Sequence, residues 1–255
     1  MKIVEAYATK GPCWSKNLYQ QSIGPDNKNA DPNYQAFYAC KPPRLILHSV
    51  GCSRASAKVQ AQKWNQAGNG SAIAHAAIDA ETGDVWQTLR WNMRGWHAGT
   101  AGNNCAVGVE MCESTAIRYL KVGESGYQPG KFEVLDLAKA RSNCETTYRS
   151  AVELFAYLCQ LLGSKPSEIR SHNEWNREHG VSGHIDPEHF WRQLGMSYTM
   201  NGFRADVAAM VQNAPATGEL YRIQVGAFRK RAYAEAFLHE VQEKYPGAFI
   251  KTEKQ

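Results

Sequence analysis

The sequence predicts an α/β domain, a central mixed β-sheet flanked by helices, followed by a small C-terminal strand-helix-strand unit. Short apolar runs at 44–50, 72–78, 85–89 and 107–112 have strand length and end in glycine, turn or polar residues. Helical patterns stand between and after them, and strands interspersed with helices pack as α/β layers. A compact linker, Asn213-Ala214-Pro215-Ala216-Thr217-Gly218, then sets off a last segment with its own strand and helix periods. The resulting division is an N-terminal arm at 1–42, a main domain at 43–212, a linker at 213–219 and a terminal unit at 220–255.

Residues 1–42 read as irregular, with Gly11-Pro12, Gly24-Pro25 and an Asn/Asp-rich patch from Asp26 to Asn33. Arg44-Leu45-Ile46-Leu47-His48-Ser49-Val50 reads as a buried strand that places His48 at its C-terminal end. Ala55 to Asn65 is a helix. Ala72–Ile78 and Val85–Leu89, joined by Glu81-Thr82-Gly83-Asp84, form a hairpin, with His75 on the same face as Ile73 and Ala77. Trp91 to Gly99 is an aromatic-rich loop, and Val107–Cys112 is a strand that carries Glu110 in apolar company. Thr146 to Leu162 is the clearest helix: Tyr148, Val152, Phe155, Cys159 and Leu162 make one apolar stripe, and Gly163 and Pro166 end it. A short helix spans Phe203 to Gln212. In the terminal unit, Tyr221–Phe228 alternates as a half-buried strand, a helix follows with Ala234, Phe237, Leu238, Val241 and Tyr245 on one face, and Ala248-Phe249-Ile250 closes the unit.

At 255 residues the chain has room for one large domain and an appendage, and 43% hydrophobic residues suffice for a core. The net charge of +5 suits an anionic polymer, but the long Lys/Arg runs of a dedicated nucleic-acid binder are missing. No apolar run approaches the ~20 residues of a membrane span, and Met1 to Ala6 lacks an apolar signal core, so synthesis in the cytoplasm is expected. The seven cysteines show no CxxC pair, which predicts that most are reduced core thiols.

The chemistry concentrates in 171–191, which contains His172, His179, His184 and His189. Gly180, Gly183 and Pro187 inside it predict a loop, and a loop can turn several donors onto one point. A catalytic zinc takes three protein ligands and leaves a fourth position open. His172 and Asp186 are the candidate ligands from this stretch, with Phe190 and Trp191 anchoring its end. His48 on its rigid strand supplies the third. The spacing matches no short metal motif such as HExxH.

Taken together, Leu45-Ile46-Leu47-His48-Ser49, Ile73-Ala74-His75-Ala76-Ala77-Ile78-Asp79, Trp96-His97-Ala98-Gly99, Val107-Gly108-Val109-Glu110, Ser171-His172-Asn173-Glu174 and His184-Ile185-Asp186-Pro187 occur in an order that resembles the type-2 N-acetylmuramoyl-L-alanine amidases. These are relatives of endolysins and peptidoglycan recognition proteins, and the resemblance covers about 43–195. It implies one Zn2+ per chain on His48, His172 and Asp186, with Glu110 as general base and His184 stabilising the oxyanion. Where other members have a tyrosine before the strand histidine this chain has Ala74, which throws more of the proton transfer onto Glu110. His75, Trp96 and His97 are expected to line the substrate cleft. The implied activity is hydrolysis of the lactyl–L-alanine amide of bacterial peptidoglycan, after release from the cytoplasm by a holin or by lysis. The alternative is a recognition module that binds muropeptides without cutting them.

The tail from Tyr221 resembles the start of a sporulation-related (SPOR) repeat, which binds peptidoglycan glycan. Only one of its two strand-helix-strand halves is present. A unit this short buries little surface alone, so wall binding or homodimerisation through 220–255 is expected.

Overall fold

The structure is a computed structural model that describes residues 1–9, 40, 42–66, 72–91, 93–180, 182–213 and 231–244. The chain divides into two compact units, Met1–Ala214 and Pro215–Gln255.

The first unit is built on a six-stranded mixed sheet. Its strands are β1 (Ile3–Glu5), β2 (Arg44–Ser49), β3 (Ala76–Ile78), β4 (Val85–Gln87), β5 (Ala106–Met111) and β8 (Arg170–Ser171), in the spatial order β1-β4-β3-β5-β2-β8. Only the β3–β4 hairpin pairs antiparallel; the other neighbours are parallel. A separate antiparallel pair, β6 (Ile117–Tyr119) and β7 (Phe132–Val134), follows β5.

Alternation along the central strands sorts the two faces of the sheet. Leu45 and Leu47 of β2, with Val107, Val109 and Met111 of β5, enter the main core beneath helix α3 (Leu137–Leu162). The intervening residues Ile46, His48, Gly108 and Glu110 therefore point to the other face. There Ile46 packs on Ala98, Ala106 and Trp175. His48 and Glu110 are register partners across β2 and β5, side by side on that face.

α3 begins well before Thr146: Asp136 caps it by accepting from the Lys139 N–H at 3.0 Å, and Ala140 and Cys144 extend the buried stripe backwards. Gly163, at φ 72°, ends it as expected. Helix α1 (Ala57–Trp64) agrees with the sequence. Helix α2 (Gly99–Cys105) and the β6–β7 pair carry no periodic signal and were not anticipated.

The arm is not wholly irregular. Ile3–Glu5 is a parallel edge strand on β4, made by pairing with a distant neighbour rather than by local propensity. The turn signals at 11–33 lie outside the described residues. Cys40 is disulfide-bonded to Cys105, while Cys52, Cys112, Cys144 and Cys159 are free. The expectation of reduced thiols thus holds for these four and fails for the pair, whose 65-residue separation leaves no motif to read.

Of the second unit only helix α7 (Arg231–Lys244) is described, where a helix was expected. Ala234, Phe237, Leu238 and Val241 are half-buried along one side of it. The strands expected at 221–228 and 248–250 lie outside the described residues. Among those described, no helix is long and apolar enough to cross a membrane.

Candidate metal centre

The stretch from 171 to 191 was expected to be a loop, and most of it is helical. Helix α4 (His172–His179) starts at a reciprocal cap: Ser171 Oγ accepts from the Glu174 N–H at 3.0 Å, and Glu174 Oε2 accepts from the Ser171 N–H at 3.1 Å. Glu174 therefore caps the helix and also pairs with Arg204 at 2.8 Å. Gly180, at φ 64°, closes the helix, so the glycines follow it rather than interrupt it. Helix α5 (Glu188–Gln193) comes next, with Phe190 and Trp191 fully buried as its anchor. What remains as a loop is 182–187. It is tied back to α4 by Asn173 N–H to Asp186 O at 3.0 Å and Asn176 Nδ2 to His184 O at 3.0 Å.

This arrangement brings the three expected ligands together. β8 lies beside β2, so His172 at the start of α4 stands next to His48 at the end of β2, their ring centroids 4.4 Å apart. The loop returns Asp186 between them. Its carboxylate is 3.5 Å from His48 Nδ1 and 3.2 Å from His172 Nδ1, and it accepts from the Ser49 N–H at 3.2 Å. Candidate ligand atoms of all three residues lie within 4.8 Å of one another, and all three residues are buried.

The ring nitrogens fix the tautomer of His48. His97 Nε2 lies 3.2 Å from the Ala106 carbonyl, which can only accept, so this nitrogen carries the proton. His97 Nδ1 is then the acceptor, and His48 Nε2, 2.9 Å away, donates to it. His48 Nδ1 is left with its lone pair facing Asp186. Burial and the neighbouring His172 push the His48 pKa down to about 4, which keeps the ring in the neutral form that a metal requires. Burial alone would raise the Asp186 carboxyl, but the imidazoles around it, His172 first, hold it well below the usual range.

Of the three residues expected to line the cleft, Trp96 and His97 do and His75 does not, and His97 is also tied into the metal centre. His97 has both nitrogens committed and orients His48. Gly108 leaves room for it: a Cβ there would lie 2.4 Å from His97 Nδ1. His75 is fully buried, with Nε2 2.7 Å from the Met93 carbonyl and Nδ1 accepting from the Gly108 N–H at 3.1 Å. It joins the hairpin to β5 and does not reach the cleft. Trp96 does face the cleft, 44% exposed, with the Arg94 guanidinium 5.3 Å from its ring.

Glu110 sits beside His48 with its Oε2 buried and without a hydrogen-bond partner among the described residues. Burial, then the charges of Asp186 and Glu113, raise its pKa well above the ordinary value. His184 stacks on His172 at 4.5 Å, and its Nδ1 is 3.6 Å from Asp186, an ion-pair separation rather than a hydrogen bond. Asp186 raises the His184 pKa, and the side chain is 63% exposed. Glu110, His184, His172 and Asp186 line a cleft of about 980 Å³.

The cleft is also lined by residues that the sequence did not single out, Tyr119, Arg54 and His189 among them. Nothing local distinguishes Tyr119 from a surface tyrosine. His179 lies outside the cleft lining and stacks on Trp175 at 3.9 Å.

A model of the family described as N-acetylmuramoyl-L-alanine amidase matches residues 39–189, and a SPOR domain model matches 201–255. The second match begins inside helix α6 (Met200–Asn213), whose Phe203 and Val207 are buried in the first unit's core, so it starts earlier than residue 220. Among solved structures the chain is similar to the hydrolase AmiA of Staphylococcus aureus, crystallised with its ligand. That identity is 16% over 85% of this chain and 87% of the other, with a TM-score of 0.55. It is also similar to a mutant of PlyL, at 18% identity over 82% and 99% with a TM-score of 0.49. The N-acetylmuramoyl-L-alanine amidase LysC of Clostridium intestinale gives 17% over 77% and 99%, with a TM-score of 0.38. At these identities the likeness to AmiA speaks for the fold. Comparison with curated proteins gives no match.

Proposed function

Since the chain belongs to the N-acetylmuramoyl-L-alanine amidase family and carries a C-terminal SPOR region, we propose that it is a zinc-dependent hydrolase of the lactyl–L-alanine amide in bacterial peptidoglycan. The observation that carries the reading is the convergence of His48, His172 and Asp186 within 4.8 Å, with Glu110 next to His48 across two parallel strands. Two imidazoles and a carboxylate are a donor set that suits zinc with a position left open.

When bound, zinc supplies Lewis acidity and lowers the pKa of water toward ~7. Glu110 takes a proton from the attacking water and passes it to the leaving amine nitrogen. Its desolvated carboxyl, with one oxygen free of partners, has the raised pKa that suits a group that must both accept and return a proton. His184, whose pKa Asp186 raises, is placed to hold the negative charge that develops on the amide oxygen. Trp96 offers a ring face to the substrate at the cleft. The SPOR region holds the enzyme on the wall polymer, by itself or by pairing with a second copy. A strictly monomeric mass in solution would refute the pairing.

The test is metal analysis with product mapping on purified wall. One zinc per chain, and new L-alanine amino termini without new reducing sugar ends, are expected. A zinc-loaded chain that binds wall and releases no amino termini would overturn the hydrolase in favour of a recognition module.

A further inference from the structure

Three residues beyond Glu110 stands a buried acid that pairs with no cation among the described residues. Glu113 is fully buried just past the end of β5, where an ionised carboxylate lacking a countercharge is costly. It accepts from the Gly51 N–H at 3.2 Å. The Tyr119 hydroxyl, from β6, lies 2.6 Å from its Oε2 and 2.8 Å from Nε2 of His189 on α5. One hydroxyl is thus held from two sides by separate elements.

Burial raises Glu113 to about 7 against these hydrogen bonds, so two proton arrangements coexist near neutrality. In one, Tyr119 donates to the carboxylate and accepts from His189 Nε2–H. In the other, protonated Glu113 donates to the Tyr119 oxygen, whose own O–H donates to His189. In both, the hydroxyl uses its proton and one lone pair, and the second lone pair remains.

Tyr119 and His189 face the cleft together with Pro129 and Gly130. This wall is rigid. Gln193 donates to the Gly130 carbonyl at 2.7 Å and accepts from the Phe132 N–H at 3.2 Å, and the Tyr119 ring stands edge-on to Phe132 at 5.4 Å. It is also closely packed: a Cβ on Gly130 would come within 2.9 Å of Ile185 and 3.2 Å of His189, so this edge of the wall is held against both side chains. A packed wall that presents one spare acceptor to the cleft suits the backbone of an extended peptide, whose donors are its N–H groups.

We propose that Tyr119 is a substrate-binding residue whose hydroxyl oxygen, clamped between Glu113 and His189, accepts a hydrogen bond from a backbone N–H of the peptide on the leaving-amine side of the bond that is cut. This rests on the amidase reading above.

The test compares initial rates of the zinc-loaded full chain on two muramoyl peptides. One carries a three-residue stem; the other carries L-alanine alone and so has no N–H beyond the scissile amide. In Tyr119→Phe, preference for the longer substrate, as the ratio of kcat/KM values, falls about tenfold, the scale of one lost hydrogen bond, and the loss sits in KM rather than kcat. Glu113→Gln keeps a partner for the hydroxyl and retains most of the preference. His189→Phe frees the hydroxyl on its other side and moves the preference in the same direction as Tyr119→Phe, independently of how that variant folds. An equal fall on both substrates, or an unchanged ratio, overturns the proposal. Cleavage of neither substrate by the unaltered chain would instead bring down the amidase reading beneath it.

Discussion

The hydrogen bond from His48 to His97 makes a sharp prediction about metal affinity. His97 Nδ1 accepts from His48 Nε2 at 2.9 Å, and this alone turns His48 Nδ1, unprotonated, toward Asp186. His97→Phe keeps a ring of similar size and removes the acceptor. His48, 1% exposed, is then left with a buried N–H unpaired, a loss on the order of 1–3 kcal/mol. Removing such an orienting partner typically lowers metal affinity by roughly 10–100-fold, or about 1.4–2.7 kcal/mol. Gly108→Ala reaches the same point sterically. Its Cβ would lie 2.4, 2.5 and 2.7 Å from three atoms of the His97 ring, so the ring must leave its place although every polar atom is retained. Both variants should bind zinc at least about tenfold more weakly in a competition titration against a chromophoric chelator. Thermal melts of the metal-free chains serve as the control for folding. If both variants fold and bind zinc as tightly as the parent, His97 does not orient the site.

Other changes have distinct signatures. Glu110→Gln should retain zinc yet lose kcat by roughly 10²–10⁴-fold; full turnover in that variant removes Glu110 from proton transfer. His172→Ala should lose the metal itself, and a normal zinc content would show that another residue supplies the ligand. For Glu113 the folded pKa, about 7, lies above the ordinary 4.5. Its stabilising contribution is therefore complete below pH 4.5 and lost as pH rises through 7. Glu113→Gln should match the parent in denaturant melts at low pH and exceed it above pH 8 by an amount on the order of 3 kcal/mol; a pH-independent difference would contradict this. Reduction of Cys40–Cys105, or its replacement by serines, should lower stability by about 4 kcal/mol on loop entropy for a 65-residue separation. An unchanged melting temperature under reductant would argue against the bond.

Much of the site was legible because its signals are local. Alternation through Leu45, Ile46, Leu47 and His48 marks a strand buried on both faces, and the same period in Val107–Met111 sets Glu110 apart from its apolar neighbours. Phe190 and Trp191 were recognisable as anchors because two large aromatics following Asp186-Pro187 have nowhere to go but the core. The expectation of a loop over 171–191 fails at its first half because the position of a glycine, and not its presence, decides whether it breaks a helix or ends one. Ser171 and Glu174 form a start signal three residues apart, and Gly180 is the matching stop.

What the sequence determined by itself, then, was the central strands, the long helix α3 and the choice of His48, His172 and Asp186 as candidate ligands, since backbone periodicity and residue chemistry act over a few neighbours. Tertiary structure alone decided the partners. Ile3–Glu5 becomes a strand only against β4, His97 meets His48 across 49 residues, and Tyr119 meets His189 across 70. Such contacts depend on how distant segments close upon one another in the fold, and no local pattern encodes which buried nitrogen or hydroxyl will find which acceptor.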